Sequence, residues 1–279
     1  MKNVIPLPDF GFLSITGRDA LKFLQGYTTC DLEHLASDGS GLGATCNIQG
    51  RMLSNYRIVA IEQGFLLRMH RSLIAPTLSF LKKYIVFSKA TLKDESAEYH
   101  CMGSLGELNQ DLKQQTNHCI TLQVGAAGPR YEHWCRSPST LDDIFLPDFE
   151  TNAALFDQWR TAELNDGYVW LEEATSEEFI PQMLNLQHFG GISFTKGCYL
   201  GQEIVARMQY RGVLKRRLHR GQCDTPVKPG TPILAATGGN LGQIVAVAGD
   251  QFLAVAQLSD DDTHCQLESG EKLLLSLIV

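Results

Sequence analysis

From Phe10 to Ile15 apolar and polar residues alternate weakly, the two-residue period of a strand. Thr16 to Gly26 then reads as a short helix. Thr16 is placed to cap it, Asp19 stands three residues on as in a capping box, and Gly26 suits a left-handed exit. Arg51 to Ile61, a Gln63-Gly64 turn and Phe65 to Met69 have the pattern of a β-hairpin. Between Arg71 and Lys83 the residues Leu73, Ile74, Leu78 and Leu81 form a helical stripe, with Pro76 tolerated near its start. Tyr84 to Leu92 is rich in β-formers and predicts a strand. A helix over Leu105 to Gln115 is expected to separate strands around Cys101 and over Ile120 to Val124.

That order of hairpin, helix, strand, strand, helix, strand is the pattern of an α+β domain. Helical spacing returns over Thr151 to Leu164, with Ala154, Leu155, Gln158 and Trp159. Thr175-Ser176-Glu177-Glu178 predicts a capped helix start ahead of Phe179 to Leu186. After Arg217 short strands are broken by Pro229-Gly230, Gly238-Gly239-Asn240, Gly249-Asp250 and Ser269-Gly270, which predicts a small antiparallel barrel or sandwich. No internal repeat, low-complexity run or flexible linker interrupts the pattern, so the sections are expected to pack into one body.

Composition alters this picture little. The 279 residues are 44% hydrophobic and 20% charged, an ordinary globular balance for a chain able to bury a large core. Charge alters it more. Between Lys196 and Arg220 stand seven cations against one acid, Glu203, a net +6; with −7 on the whole chain, the remainder carries −13. One basic zone on an acidic body suits a local anionic ligand better than a long polyanion, so direct nucleic-acid binding is disfavoured.

The eight cysteines form no C-x-x-C and no zinc-like quartet with histidine, and no metal site is expected. Prolines in Met1 to Phe12 stand where a signal peptide needs an apolar core. Most of the cysteines are therefore expected to be reduced, buried and cytoplasmic. His118-Cys119, His133 near Cys135, and His264-Cys265 are read as structural, because neighbours along a strand face opposite ways. No apolar run is long enough to span a membrane.

The densest chemical signal is Phe194-Thr195-Lys196-Gly197-Cys198-Tyr199-Leu200-Gly201-Gln202-Glu203. A helix is expected after Gly201, which places Cys198 just ahead of its N-terminus with Lys196 two residues away. Both neighbours favour a thiolate over a thiol; the plainer alternative is a loop cysteine that only packs. The basic run Arg211 to Arg217 is either a solvated cluster or an anion site beside that thiol. Trp159 and Phe10 are core aromatics or platforms for a flat heterocycle. Asn185 and Gln187 either read the edge of such a ring or cap a helix end.

Several of these stretches resemble the YgfZ family of folate-binding proteins, relatives of the glycine-cleavage T-protein. They are Phe179-Ile180-Pro181-Gln182, Asn185-Leu186, Gly190-Gly191-Ile192-Ser193-Phe194, Lys196-Gly197-Cys198-Tyr199 with Gly201-Gln202-Glu203, Arg211-Gly212 and Lys215-Arg216. Thr16-Gly17, Asp19-Ala20, Phe23 to Gly26, Asp31-Leu32 and Lys83-Tyr84 with Val86 to Lys89 extend the likeness over most of the chain. The resemblance implies an α+β, three-domain ring with a C-terminal small antiparallel β-barrel. In it, 1–48 with 139–208 would form a discontinuous folate-binding domain, 49–138 a ferredoxin-like α+β domain, and 209–279 the barrel. It implies tetrahydrofolate or a folate derivative in a central channel, and a role in maintaining iron–sulfur enzymes, among them those that thiolate tRNA. Cys198 and Lys196 would carry the chemistry. Phe10, Trp159, Asn185, Gln187, Tyr199, Gln202, Glu203 and Arg211 would hold the ligand, with Phe10 and Trp159 at the places of two folate-contacting tryptophans.

Two departures from T-proteins matter. Ser54 and Asn55 occupy the place of a carboxylate tied to aminomethyl transfer, and neither ionises near neutral pH. In Glu163-Leu164-Asn165-Asp166-Gly167, Glu163 falls where T-proteins carry Arg, and Asn165 where they carry Glu. The leading expectation is a folate-dependent accessory protein for iron–sulfur enzymes. An aminomethyltransferase or demethylase and a non-catalytic RNA- or protein-binding module are the alternatives.

Overall fold

The computed structural model describes residues 4–36, 39–108, 110, 119–125, 128–136, 153–258 and 265–278. The chain begins with β1 (Val4–Pro6), β2 (Phe10–Thr16) and the short helix α1 (Ala20–Gln25). It continues through β3 (Ser40–Cys46), β4 (Met52–Ile61), β5 (Gly64–His70), α2 (Ile74–Lys82) and β6 (Thr91–Asp94). Next come β7 (Tyr99–Leu105), β8 (Cys119–Val124), β9 (Arg130–Arg136), α3 (Ala153–Asp166) and α4 (Gln202–Arg211). Seven strands close the chain: β10 (Arg217–Gln222), β11 (Pro232–Ala235), β12 (Asn240–Ala248), β13 (Gln251–Ala256), β14 (Cys265–Gln266), β15 (Lys272–Leu273) and β16 (Ser276–Leu277).

The strands form three antiparallel sheets, ordered β3-β4-β5-β2-β6, β1-β7-β9-β8 and β15-β14-β11-β12-β13-β10-β16. The expected hairpin is β4–β5, with Ile61 opposite Gly64. At Gly64 (φ +154°) an added Cβ would lie 2.0 Å from the Ile15 carbonyl oxygen, so only glycine lets β2 approach. The barrel expected after Arg217 is a curled sheet whose end strands, β15 and β16, do not pair with each other among the described residues. β3 and β4 pair across residues 48/49, so an expected domain boundary falls inside one hairpin.

Two cores set the positions of the site-bearing elements. The larger runs from Leu13, Ile15 and Tyr56 of the first sheet through Leu164 and Leu171 to Val205, Leu218 and Leu253, and ties α4 and the C-terminal sheet to the first sheet. The second packs Phe10 and Phe12 against Trp134 and Trp159. There α3 lies so close to β7 that a Cβ on Gly103 would meet the Trp159 ring at 2.6 Å. Each fully buried side chain of this size contributes about 1.5–3 kcal/mol, so these layers hold the elements under the site rigid.

Several local expectations are corrected. Thr16 does not cap α1: the helix starts at Ala20, and Asp19, rather than capping it, accepts from the Lys89 N–H. Gly26 exits in the right-handed region (φ −80°). Tyr84 to Ser88 is not a strand. Ile85–Phe87 forms one 3₁₀ turn with Phe87 98% exposed, and pairing resumes only at Thr91. Leu105 ends a strand, and most of the helix expected over 105–115 lies outside the described residues.

Phe179 to Leu186 is not one helix but the single turns Pro181–Leu184 and Leu186–Phe189. Pro181 cannot continue a preceding ladder, and Asn185 adopts φ +54°, which ends the first turn. Cys119 and Cys135, opposite each other on β8 and β9, form a disulfide rather than two thiols. The other six cysteines form no disulfide among the described residues, and all but Cys198 are buried. His133 is enclosed between the hydroxyls of Ser104 and Thr121, each 3.0 Å away. His118 and His264 lie outside the described residues. Among the described residues no cluster fit for a metal occurs and no helix is long and apolar enough to cross a membrane.

Candidate functional site

β4 and β5 place Arg57 directly opposite Arg68, a like-charge pair that strand pairing disfavours. Glu132 of β9 resolves it. Its carboxylate accepts from Arg68 Nε at 3.2 Å and from Arg68 Nη2, from Trp134 Nε1 at 3.0 Å, and lies 3.5 Å from Arg57 Nε. Burial alone would raise the Glu132 carboxyl, but Arg68 and Arg57 together hold it below the usual range. Arg68 is fully buried, with its guanidinium against the rings of both Phe10 and Trp170.

α3 adds three residues one or two turns apart: Trp159, Glu163 and Asp166. Asp166 pairs with Arg130 of β9. Glu163 Oε1 accepts from Trp170 Nε1 at 3.0 Å, and its second oxygen has no protein donor among the described residues. Burial pushes the Glu163 carboxyl up, against the pull of Arg68.

These groups divide three clefts that share walls. The first, about 110 Å³, has Phe10, His70, Trp159, Glu163, Tyr168 and Trp170 in its lining. The second, about 230 Å³, meets it at Glu163, Tyr168 and Trp170 and adds Arg57, Arg130 and Glu132. The third, about 720 Å³, meets the second at Leu42 and Phe189 and reaches Cys30, Ser193, Phe194 and Thr195, just before Lys196.

The expected site residues are thus distributed. Phe10 and Trp159 meet in the first cleft. Trp159 is 1% exposed, hemmed by Gly103 and by Arg130, and its Nε1–H lacks a partner among the described residues. It is a wall with one unused donor rather than an open stacking platform.

Asn185, Gln187, Tyr199, Gln202, Glu203 and Arg211 line none of these clefts. Asn185 donates to the Ile278 carbonyl at 3.2 Å and so fastens the C-terminal strand. Gln187 Oε1 is buried without a partner among the described residues. Gln202 accepts from the Tyr199 N–H at 3.3 Å, and Tyr199 is buried. Glu203 and Arg211 stand exposed in the first and last turns of α4.

Lys196 and Cys198 separate as well. The Lys196 ammonium donates to the carbonyls of Gln25 (2.8 Å), Thr28 (3.0 Å) and Cys30 (2.7 Å), which engages all three of its hydrogens. Burial lowers its pKa to about 8. Lys196 therefore clamps the segment after α1 and is not directed at the thiol. Cys198 is exposed three residues before Gly201, whose left-handed backbone (φ +83°) starts α4 as expected.

Asn55 explains its own departure from the acid of T-proteins. Its Nδ2 donates to the Val169 carbonyl at 2.6 Å while its Oδ1 accepts from the Leu171 N–H at 2.8 Å. A carboxylate could make only the second bond. Sequence reading missed Arg57, Arg68, Arg130 and Glu132. The available signal was a charge inside an apolar strand, as in Leu66-Leu67-Arg68-Met69, since such a charge is buried only with a partner.

No family model matches the chain. Over 285 residues it is 32% identical to the tRNA-modifying protein YgfZ of Colwellia psychrerythraea, covering 95% of this chain and 84% of the relative. Over 235 residues it is 36% identical to the tRNA-modifying protein YgfZ of Escherichia coli O139:H28, covering 77% and 70%. The glycine cleavage system aminomethyltransferase T of Bartonella henselae superposes with a TM-score of 0.67 over 99% of this chain and 84% of that one, at 12% identity, a likeness of fold alone. The chain therefore belongs to the family of the tRNA-modifying protein YgfZ and has a T-protein-like fold.

Proposed function

We propose that this chain is a folate-binding accessory protein in tRNA modification, and that the linked clefts are its folate channel. The carrying observation is Glu163, a half-buried carboxylate at the wall shared by two clefts, with one oxygen that accepts from no donor among the described residues. A pterin edge offers adjacent amino and ring N–H donors, which a carboxylate accepts as a pair. The second cleft, about 230 Å³, is below the roughly 300 Å³ of a drug-sized pocket, so it suits the bicyclic ring alone. Leu42, Tyr168, Trp170 and Phe189 would wall that ring, and the third cleft would receive the benzoyl-glutamate tail. Bound reduced folate supplies one-carbon chemistry. The protein's part is to orient the ring at Glu163 and to keep water from it.

The finer reading is that the chain works in the cytoplasm and supports iron–sulfur enzymes, including tRNA-thiolating ones, through the exposed thiol of Cys198. Asn55, committed to backbone bonds, offers no base for aminomethyl transfer, which counts against a T-protein activity.

Calorimetric titration with tetrahydrofolate tests the first claim. Wild type should bind, Glu163→Gln should bind at least tenfold more weakly, and Trp159→Ala should lose affinity less. No heat from the wild type would end the folate reading. For the second claim, a Cys198→Ser strain whose iron–sulfur enzymes keep full activity would remove the thiol from the proposal.

A further inference from the structure

We infer that the face carrying Cys198 docks RNA, with unpaired bases stacking on Phe87 and Tyr210 and phosphates held by the cations around them. The inference rests on the tRNA-modification reading above and names its surface.

The 194–200 loop joins the two halves of this face. On one side Phe194 packs against Tyr210 of α4, ring centres 6.2 Å apart. On the other side Leu200 donates to the Gly26 carbonyl at 3.0 Å, beside Tyr27, whose ring lies 4.9 Å from that of Tyr84. Tyr84 leads into the turn that ends on Phe87. Phe87 is 98% and Tyr210 69% exposed.

Cations flank both rings. On the first side Arg18, Lys22, Lys82, Lys83 and Lys89 are all exposed, and the acid Asp19, accepting from the Lys89 N–H at 2.8 Å, ties the 18–22 stretch to the segment that carries Phe87. Arg207, Arg211, Lys215, Arg216 and Arg217 follow the second, also exposed, with Glu203 the acid. None of these ten forms an ion pair among the described residues.

The sequence reading disfavoured a polyanion because the remainder of the chain is acidic. The structure changes that balance in two ways. It adds five exposed cations from residues 18–89 to the five exposed ones from Arg207 to Arg217. It also links the two groups through the 194–200 loop, and charges more than about 8 Å away are screened at physiological salt. Separate aromatic tips among cations are the arrangement that binds single-stranded nucleic acid, in which each base stacks and each phosphate is neutralised. Val86 and Val213 are exposed beside them, 72% and 83%, and extend the walls for bases.

Fluorescence anisotropy of a labelled stem-loop RNA with the full chain tests this. Log affinity should fall linearly with log salt between about 50 and 200 mM. Phe87→Ala and Tyr210→Ala should each weaken binding by roughly tenfold. Lys82→Glu with Lys83→Glu should weaken it further and flatten the salt slope by about 0.7 per lost phosphate contact. All four side chains are exposed, so circular dichroism should not change. RNA that fails to bind at low salt, or binds these variants as well as wild type, overturns the inference. So does exclusive binding to phosphatidylserine vesicles or to an acidic peptide. Tetrahydrofolate titration of the same variants separates the two readings: folate bound without RNA leaves the channel and removes only this surface.

Discussion

The guanidinium carbon of Arg68 lies 3.8 Å from the centre of the Trp170 ring, and 3.9 Å from that of Phe10. The two rings meet edge-on, 5.6 Å apart, and Arg68 occupies their corner. Arg68 therefore engages one ring that lines the first cleft, Phe10, and one, Trp170, that both clefts share.

Arg68→Met keeps much of the side-chain volume but strands Glu132, which is 1% exposed. Arg57 at 3.5 Å compensates only in part. The expected loss is about 3–5 kcal/mol, the cost of breaking a buried pair from one side. Urea unfolding measures it. A loss under about 1 kcal/mol would mean that Glu132 takes up a proton or water at little cost.

Asn55→Asp should destabilise the fold by about 1–3 kcal/mol, because a carboxylate then faces the Val169 carbonyl where a donor stood. The same protein should still fail to turn over aminomethyl donors. Thermal unfolding and a tetrahydrofolate-dependent transfer assay check both halves, and gained turnover would reopen the T-protein activity.

His133 gives the fold an acid limit. Burial lowers its pKa from 6.5 to about 4, so between these values the unfolded chain binds the extra proton. Stability from this group is complete above pH 6.5 and is lost as pH falls through 4. His133→Gln, which keeps a donor and an acceptor for Ser104 and Thr121, should flatten the stability profile across that window. An unchanged slope would place acid sensitivity elsewhere.

Lys196 works at the other end of the scale. Its folded pKa of about 8 lies below the ordinary 10.5, so the unfolded chain holds the proton more tightly. Its titration makes stability rise with pH across that window, the increment being lost as pH falls through 8. Lys196→Met should remove the rise. It should also lower stability by roughly 2–4 kcal/mol by orphaning three carbonyls. Alkylation of Cys198 reports separately on the loop: a rate unchanged in Lys196→Met would show that the clamp does not set the thiol's presentation.

Local order in the chain made much of the fold legible. Alternation and the Gln63-Gly64 turn yield β4 and β5, the 71–83 stripe yields α2, and glycine before Gln202-Glu203 yields α4. The failures have separate causes. Tyr84 to Ser88 has strand composition but pairs with no strand among the described residues. Phe179 to Leu186 has helical spacing but carries Pro181 and the left-handed Asn185. Cys198 was legible because its motif is contiguous. The Arg57–Arg68–Glu132 cluster was not, because its members stand 11 and 64 residues apart.

By itself the sequence determined most of the elements, their order, the family and a cysteine ahead of a helix, since each depends on neighbours along the chain. Tertiary structure alone decided that Lys196 faces carbonyls rather than Cys198, that Trp159 is a wall, and that Glu163 keeps a free oxygen between two clefts. Those outcomes depend on which buried charges find partners. Desolvation makes that choice only when distant strands and helices close around them.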